Sequence, residues 1–383
     1  MPVVPVETIP GDDPDRAPAP GIGLCLSGGG YRAMVFHVGV LWRLYEAGVL
    51  SRVDRVSSVS GGSITAAVLA LKWTKLSFNP DHVRSDFVPE VVAPIRALAG
   101  QTIDVWAIIL GILLPGRISD RIAAAYQKHL FGNATLQDLP DQPRFVINAT
   151  NVQSGALWRF MKPYMRDYRV GNVDHPNIPL SRAVAASSAF PPFLSPVEMR
   201  LNEAQFTPKS GQDLQRAPFT TRVILTDGGV YDNLGLEPVW KRYQTVLVSD
   251  GGGKMPAEEA PKSDWLRHAH RVLDVVDNQV RSLRKQQVIG SFKAPQTDQA
   301  HRKGAYWGIR TNIADYKLAD PLSCPHDRTM DLAETPTRLK RLDSLRQERL
   351  INWGYAVCDA ALRRHVDPEI AEPAGFPYPA AGV

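Results

Sequence analysis

Ser60 lies on a stretch of small residues that suits a catalytic nucleophile. Residues 53–59 predict a short strand and residues 63–73 a helix, so Ser60 falls on the tight turn between them. A serine at such a turn holds its hydroxyl out of the sheet, above the N-terminus of the next helix, as in the G-x-S-x-G nucleophile elbow. Ser58 replaces the first glycine of that motif, and Gly62 keeps the second. These residues fit a nucleophile elbow and an ordinary strand-to-helix turn equally well.

A run of three glycines, Gly28, Gly29 and Gly30, forms a second element with chemical potential. It stands between a predicted strand over 22–26 and an apolar pattern of helical spacing over 34–47. Glycines let the backbone approach a ligand closely, and the unpaired N–H groups of a helix N-terminus attract negative charge. We therefore expect an anion-binding loop here.

Two carboxylates stand at the ends of predicted strands, where either can act as a general base. Asp227 follows the aliphatic run 223–225, and Asp250 follows a similar run over 246–248; glycines come after both. Asp-Gly is also a common turn signal, so a plain turn is the competing interpretation of each. The glycines after Asp250 do not match the phosphate-binding pattern G-x-x-x-x-G-K-[ST], which argues against a nucleotide site.

The composition fits a basic globular protein that does not bind nucleic acid. The chain has 383 residues, 44% of them hydrophobic, and a formal net charge of +5. The positive charge suits an anionic partner such as a phospholipid surface, but Lys and Arg form no dense cluster of the kind that binds nucleic acid. Cys25, Cys324 and Cys358 are widely spaced, so we expect neither a disulfide framework nor a metal site. No acidic cluster indicates calcium, and the sequence predicts no cofactor.

The chain is predicted to form one large domain with two short flanking segments. Residues 1–20 are rich in Pro and Asp and lack the basic and apolar regions of a signal peptide, so we expect a disordered arm and a cytoplasmic protein. Residues 21–365 form the predicted α/β domain, in which 260–365 is a helical C-terminal part. The Pro-rich end, 366–383, is predicted to be a loose tail.

Further patterns predict the elements that must position the chemical residues. Helices are expected over 117–131, 180–188, 262–291 and 335–363, and strands over 143–150, 157–161 and 306–309. The charges in the second half of the 262–291 helix are interpreted as a solvated face.

Residues 103–114 form an apolar run that ends before Pro115. It is too short to span a bilayer, which takes roughly 20 apolar residues. We favour a buried core helix. The alternative is a lid, or a wedge that enters a membrane interface with Trp106 at the level of the lipid headgroups.

Together, these stretches resemble the patatin-like phospholipase family, which is related to the catalytic domain of the cytosolic group IV phospholipases A2. The family has a G-G-G-x-[RK] loop, a G-x-S-x-G elbow, an A-S-x-A-x-P block and a D-G-[GA] turn. The matching residues here are 28–32, 58–62, 186–191 and 227–229. Each block alone is a weak signal, but the four occur in the family's order over about residues 21–235.

The resemblance implies a Ser–Asp dyad that works without histidine. Ser60 would attack an acyl ester carbonyl, and Asp227 would act as the general base. The oxyanion hole would consist of backbone N–H groups, those of Gly28, Gly29, Gly30 and Gly61. Arg32 would hold a lipid phosphate or fix the glycine loop, with a structural salt bridge as an equal alternative.

A Ser-His-Asp triad is the main mechanistic alternative. The candidate histidines are His37, near the glycine loop, and His268, His270 and His301, which follow in the order of an α/β-hydrolase. None has a recognisable catalytic context, so we expect surface or core positions for them. Asp250 remains the competing carboxylate for a dyad.

The expected fold is α/β, a patatin-like three-layer arrangement with a central, mainly parallel sheet flanked by helices. The expected function is hydrolysis of acyl esters in phospholipids through an acyl-enzyme, with peripheral contact at the inner face of a membrane. The alternatives are a soluble esterase or thioesterase, a gated toxin-like effector that needs an activator, and a non-catalytic binding protein. Headgroup, sn-1 or sn-2 preference and oligomeric state do not follow from the sequence.

Overall fold

The central sheet has ten strands in the part of the chain that the computed structural model describes, residues 18–103, 118–192, 194–255 and 257–383. The strands are β1 (Ala19–Leu26), β2 (Arg55–Val59), β3 (Arg144–Asn151), β4 (Ala156–Phe160), β5 (Tyr164–Asp167), β6 (Gly171–Asp174), β7 (Val197–Arg200), β8 (Arg222–Asp227), β9 (Tyr243–Asp250) and β10 (Lys303–Gly308). Their order is β10-β9-β1-β2-β3-β4-β5-β6, with β8 beside the end of β3 and β7 beside β8.

Helices flank this sheet on both faces. The α-helices within the described residues are α1 (Gly30–Glu46), α2 (Gly61–Lys72), α3 (Ala93–Ala99), α4 (Ile118–Tyr126), α5 (Leu180–Ser187), α6 (Gly229–Asp232), α7 (Glu237–Trp240), α8 (Trp265–Lys293), α9 (His326–Ala333) and α10 (Ser344–His365). Single π-helical turns, Val88–Val92 and Gln127–Phe131, adjoin α3 and α4.

The sheet is parallel on one side and antiparallel on the other. Strands β10, β9, β1, β2 and β3 run parallel to one another. Strands β4 to β8 pair antiparallel with their neighbours. The predicted α/β fold with a helix-flanked central sheet is confirmed, but the sheet is mixed. The connections from β3 to β6 are short loops, and a parallel neighbour needs a long crossover.

The two faces of the sheet are covered unequally. Alternate residues of a strand point to opposite faces, so Leu24 and Leu26 join a large core with α1, α2 and α10, whereas Cys25 joins a small one. The small core includes Val239 of α7 and Val288 of α8. Helix α8 therefore lies on the less extensively packed face, and much of it is exposed.

Helices α1 and α10 cross closely at two glycines. A Cβ atom on Gly39 would meet the carbonyl oxygen of Ile351 at 1.9 Å, and one on Gly354 would meet the carbonyl oxygen of Phe36 at 2.1 Å. Only glycine leaves room for backbones this close. The predicted C-terminal helical region is therefore part of the core.

The C-terminal segment 366–383 is packed, so the prediction of a loose tail is wrong. The Asn352 side chain on α10 donates to the carbonyls of Tyr378 at 2.8 Å and Gly382 at 2.7 Å. The Tyr378 ring also packs edge-on against Trp42, with 6.0 Å between ring centroids. Prolines exclude regular structure here, but they do not prevent aromatic packing.

Two predictions fall largely outside the described residues. They are the disordered arm over 1–20, of which residues 19 and 20 belong to β1, and the apolar run over 103–114. Within the described part of the chain, no helix is long and apolar enough to cross a membrane.

Candidate active site

Ser60 occupies a sharp turn between β2 and α2. Its backbone has φ 51° and ψ −120°, a strained conformation for a residue with a side chain. The turn needs small neighbours, because a Cβ atom on Gly62 would meet the carbonyl oxygen of Leu26 at 2.4 Å. The structure thus has the strand, turn and helix predicted around Ser60, in the arrangement that exposes a nucleophile.

Ser58, which replaces a glycine of the motif, has polar partners. Its Oγ donates to the carbonyl of Val146 at 3.1 Å and accepts from Oγ of Ser63 at 3.0 Å. The serine therefore fits the turn and adds a contact between β2 and β3.

Strand β3 brings Ser60 and Asp227 to the same place. Strand β2 ends where Val59 pairs with Asn148 of β3. Strand β8 comes from the opposite direction and ends where Asp227 pairs with Ala149, the next residue of β3. The two strand ends therefore meet, and Ser60 and Asp227 line one cavity.

The last residue of α5 and the segment after it hold both strand ends. The Ser60 N–H donates to Oγ of Ser187 at 3.0 Å. The Asp227 N–H donates to the carbonyl of Ala189 at 3.0 Å, and the Gly228 N–H donates to the carbonyl of Ser187 at 3.2 Å. The small-residue block singled out in the sequence thus positions both members of the candidate dyad.

The Asp227 carboxylate is buried, and within the described residues only one of its two oxygens has a hydrogen-bond partner. The residue is 3% exposed. Its Oδ1 accepts the Gly229 N–H at 2.7 Å, whereas Oδ2 has no hydrogen-bond partner of standard geometry among the described residues. The pKa of Asp227 is raised to about 7. Burial is the largest cause, and the charge of Asp277 adds a smaller rise, whereas the Gly229 N–H and the nearby Ser60 hydroxyl act to lower the pKa. A carboxyl with this pKa can exchange a proton near neutral pH, as a general base must.

The glycine loop presents backbone N–H groups, but Gly28 is not a free donor. Its N–H donates to the carbonyl of Asn233 at 3.1 Å, which corrects its predicted place in the oxyanion hole. The N–H groups of Gly29, Gly30 and Gly61 donate to no acceptor among the described residues. Gly29 and Gly30 have φ values of 145° and 60°, which favour glycine. Three N–H groups therefore remain available to an anion.

Arg32 supports the glycine loop from behind and is not among the residues that line the cavity. Its guanidinium is buried; Nε donates to the carbonyl of Gly251 at 3.1 Å, and Nη1 donates to the carbonyl of Thr335. Burial, with a smaller contribution from the nearby charge of Arg281, lowers the pKa of Arg32 to about 10. The side chain still stays charged at neutral pH. Of its predicted roles, fixing the loop agrees with these contacts.

Asp250, the competing carboxylate, already has its charge paired. Both its oxygens lie 3.1 Å from Nη2 of Arg281, the Tyr306 hydroxyl donates to Oδ2 at 2.8 Å, and the Gly252 N–H donates to Oδ1 at 2.9 Å. Burial alone would raise the pKa of Asp250, but Arg281 and the two donors outweigh it and hold the pKa below its usual value. Asp250 is therefore a poor proton acceptor.

His37 has a structural position behind the glycine loop. Its Nδ1 lies 2.9 Å from Oγ of Ser249, and its Nε2 lies 3.0 Å from the carbonyl oxygen of Ser27. Burial lowers the pKa of His37 to about 4. Both ring nitrogens are occupied, so His37 is not placed to act on a serine nucleophile.

The histidines of the C-terminal half do not complete a triad in the described part of the chain. His270 lines the cavity, but its Nδ1 lies 3.3 Å from the carboxylate of Asp274. His268 is exposed on α8, and Nδ1 of His301 contacts the carbonyl oxygen of Ala294 at 2.8 Å. None of these rings has a hydrogen bond to the candidate nucleophile.

A cavity of about 680 Å³ opens in front of Ser60 and Asp227. Its apolar lining includes Phe190, Leu194 and Val230 near the strand ends, and Leu273, Val276 and Val280 on α8. Its charged lining includes the cations Lys254, Arg281 and Arg338 and the carboxylates of Asp227, Asp274 and Asp277. The cavity therefore combines apolar walls with charges of both signs, which suits an amphipathic ligand.

The contribution of α8 to the cavity was missed in the sequence. The charges over 262–291 indicated a solvated face, yet Arg281, Asp277 and Leu273 line the cavity. The available signal was that apolar residues occur on more than one face of the helix, at 272–273 and 275–276. Among the described residues, no three His, Cys, Asp or Glu side chains form a group that could hold a metal ion.

Comparison with known proteins identifies a family and solved structures of similar fold. A family model described as patatin-like phospholipase matches residues 24–240. Human GIVD cytosolic phospholipase A2 is similar in structure, with a TM-score of 0.52 and 14% identity over 88% of this chain and 58% of that chain. Its complex with methyl gamma-linolenyl fluorophosphonate and terbium chloride gives a TM-score of 0.51 and 15% identity over 89% and 58%.

This chain thus spans 58% of the length of the human enzyme, and at these identities the likeness shows the fold alone. No curated protein matches the sequence significantly.

Proposed function

The chain belongs to the patatin-like phospholipase family, and we propose that it is a lipid acyl hydrolase of the phospholipase A type. The observation that supports this most is the placement of Ser60, on a strained turn, beside a buried Asp227. Oδ2 of Asp227 has no partner among the described residues, and its pKa is raised to about 7. Both residues line one cavity with Gly29 and Gly30. A serine, a base and backbone donors at one point suit acyl transfer.

The first chemical step transfers the acyl group to Ser60. The Ser60 hydroxyl gives its proton to Asp227 while Oγ bonds to the ester carbonyl carbon. Asp227 then passes this proton to the oxygen of the departing lysolipid as the ester C–O bond breaks. The products of this step are an acyl ester on Ser60, a free lysolipid and an ionised Asp227.

The second step releases the fatty acid with water. Asp227 takes a proton from a water molecule, whose oxygen attacks the acyl carbon. As the bond to Oγ of Ser60 breaks, the proton on Asp227 returns to Oγ. Both residues are then in their starting states.

Backbone N–H groups stabilise the negative oxygen that forms in each step. We assign this role to Gly29, Gly30 and Gly61, whose N–H groups have no acceptor among the described residues. Gly30 and Gly61 are the first residues of α1 and α2, so both helix dipoles favour negative charge there. Removing one such donor costs on the order of 3 kcal/mol in other enzymes.

The lining of the cavity supports a phospholipid as substrate. Its apolar side chains can receive an acyl chain, and Lys254 and Arg338 can attract a phosphate. With such a substrate, the protein acts peripherally at a membrane, and we place it in the cytoplasm at the inner face.

Fatty-acid release from phospholipid vesicles and from a short-chain aryl ester tests this function. We expect the native chain to hydrolyse both, and Ser60→Ala to lose both activities while keeping its circular dichroism spectrum. The matched control is Ser51→Ala, an exposed serine outside the cavity, which should keep both activities.

Other results would select the alternatives. Hydrolysis of the aryl ester alone would favour a soluble esterase or thioesterase. Activity that persists in Ser60→Ala would contradict the proposed nucleophile. Inactivity on both substrates, together with toxicity on expression that Ser60→Ala removes, would favour an effector that needs an activator.

A further inference from the structure

Helix α8 has an exposed apolar stripe beside the cavity. We define the apolar stripe as Trp265, Val272, Val276 and Leu283, which are 80%, 47%, 54% and 62% exposed. Their spacing along the chain places them on one face of the helix. Large apolar side chains aligned at such exposures mark a surface that contacts something other than water.

No charged residue interrupts the apolar stripe. The positions that complete its face are Ala269 and Gln279, and the charged residues lie around the rest of the helix. Helix α8 contains six Arg or Lys residues and two Asp residues, in a chain of net charge +5. A helix with an uncharged apolar face and a basic balance has the composition of one that lies in a membrane interface.

The opposite side of α8 is fixed to the rest of the protein. Arg281 pairs with Asp250 at 3.1 Å, and Arg284 pairs with Glu237 at 3.3 Å. Val288 is fully buried in the small core. The exposed stripe is therefore one face of an anchored helix.

Apolar exposure continues beyond α8 to the mouth of the cavity. Phe190 and Val230, on other elements, are 42% and 47% exposed and line the cavity, as does Val276 of the stripe. A single partner helix would cover the stripe alone. A lipid surface would cover the stripe and the cavity mouth together.

We propose that the apolar stripe, with Phe190 and Val230, docks the protein on an anionic phospholipid membrane so that the cavity mouth faces the lipid. The purpose of docking rests on the proposed function, because a lipid acyl hydrolase must draw its substrate from a bilayer. Burial of the stripe supplies most of the binding, and the basic residues supply the preference for anionic lipid.

Vesicle flotation of the Ser60→Ala chain tests docking without turnover of the lipid. The vesicles contain phosphatidylcholine alone or with phosphatidylglycerol. Adding Val272→Asp and Leu283→Asp should lower the partition coefficient about 10-fold or more, because each carboxylate must lose water to enter the interface. The matched control is Val152→Asp with Leu345→Asp, which changes exposed apolar residues on other elements. This control should bind vesicles as the Ser60→Ala parent does. Both proteins should bind anionic vesicles more tightly than vesicles of phosphatidylcholine alone.

Tryptophan fluorescence gives a second readout. Within the described residues, Trp265 is the exposed tryptophan, and the others are buried or half-buried. Vesicles should shift its emission to shorter wavelength, Trp265→Phe should remove the shift, and Trp106→Phe should keep it. The reverse pattern would place the membrane contact in the 103–114 run and overturn the proposal.

Two further results would overturn it. One is equal vesicle binding by the stripe variant and its control. The other is a dimer, seen by analytical ultracentrifugation, that Val272→Asp with Leu283→Asp dissociates. Aryl ester hydrolysis by the same variants in the native Ser60 background separates docking from catalysis. Lost docking with retained hydrolysis supports the proposal, whereas an inactive native chain would contradict the proposed function and leave the docking result unaffected.

Discussion

Two turns of similar sequence end strands β8 and β9, which lie apart in the sheet, and they have different electrostatics. Asp227 and Asp250 each close a strand and precede glycines, and both are buried. Asp227 has one oxygen without a partner among the described residues, and its pKa is raised to about 7. Asp250 contacts Arg281 and Tyr306, and its pKa is lowered.

The difference shows that burial raises the pKa of a carboxyl, and so makes it a better base, only where no nearby cation offsets the loss of water. Loss of water favours the neutral form of both carboxyls, and Arg281 reverses this effect for Asp250. The end of each strand therefore determines where the carboxylate lies. For Asp250, the Arg281 side chain from α8 determines the protonation state.

The largest expected effect separates the two aspartates by activity. Asp227→Asn keeps the shape of the side chain but removes the proton acceptor, so we expect kcat on the aryl ester to fall about 10²- to 10⁴-fold. Asp250→Asn, assayed at a temperature where it stays folded, should keep activity within about 10-fold, because Asp250 only positions Arg281 and the loop. If the two variants lost activity equally, the distinction between the two turns would be wrong.

The second effect is on stability, where Asp250→Asn should be the more damaging of the two substitutions. Asp250→Asn leaves the Arg281 cation in a largely buried place without its counter-charge, which should lower the free energy of unfolding by about 3 kcal/mol. Urea denaturation measures the change. The double variant Asp250→Asn with Arg281→Gln should recover part of the lost free energy of unfolding, because no unpaired charge remains. If it recovered none, the broken ion pair would not be the cause of the loss.

The third effect is a gain in stability for Asp227→Asn at high pH. The pKa of Asp227 is about 7 in the folded chain and about 4 in the unfolded chain. Its contribution to stability is therefore complete below pH 4 and is lost as the pH rises through 7. Asp227→Asn removes this loss, so its free energy of unfolding at pH 8 should be higher than that of the native chain by a few kcal/mol. Near pH 4 the two should be equal, and a gain independent of pH would argue against a raised pKa.

The smallest effect is a shift in the pH dependence of kcat/KM for the aryl ester. Ionised Asp227 is the active form, so the rate should rise with pH through a midpoint near 7. Asp277→Asn removes a charge that raises the pKa of Asp227, and should move the midpoint down by a fraction of a pH unit. Asp250→Asn should leave the midpoint in place, because its charge is already compensated. A midpoint that follows Asp250 would reverse the assignment.

Local pattern was sufficient for the turns and for the buried strands. Ser60 and Asp227 could be placed at strand ends because apolar runs stop there at small residues, and the strand and helix around Ser60 appear as predicted. Strands β5, β6 and β7 of the antiparallel half were not predicted, because they have only four residues each. At that length the alternation of apolar and polar residues is too brief to distinguish a strand from a loop.

The electrostatics of the site depend on contacts between distant parts of the chain. Arg281 reaches Asp250 from 31 positions away. The N–H of Gly28, which follows β1, donates to the carbonyl of Asn233, which lies beyond β8. Arg32 matches a motif, but its donors point to the backbone of Gly251 and Thr335, which no motif indicates. These contacts follow from the packing of whole elements, so a local pattern does not contain them.

Covalent labelling with an alkyl fluorophosphonate, located by mass spectrometry of the digested protein, tests directly whether Asp227 activates Ser60. Such a reagent bonds to a serine oxygen that a neighbouring base has activated. We expect a single adduct on Ser60, formed at similar rates in the native chain and in Asp250→Asn and much more slowly in Asp227→Asn. An adduct on another residue, or equal labelling of Ser60 in Asp227→Asn, would contradict this expectation.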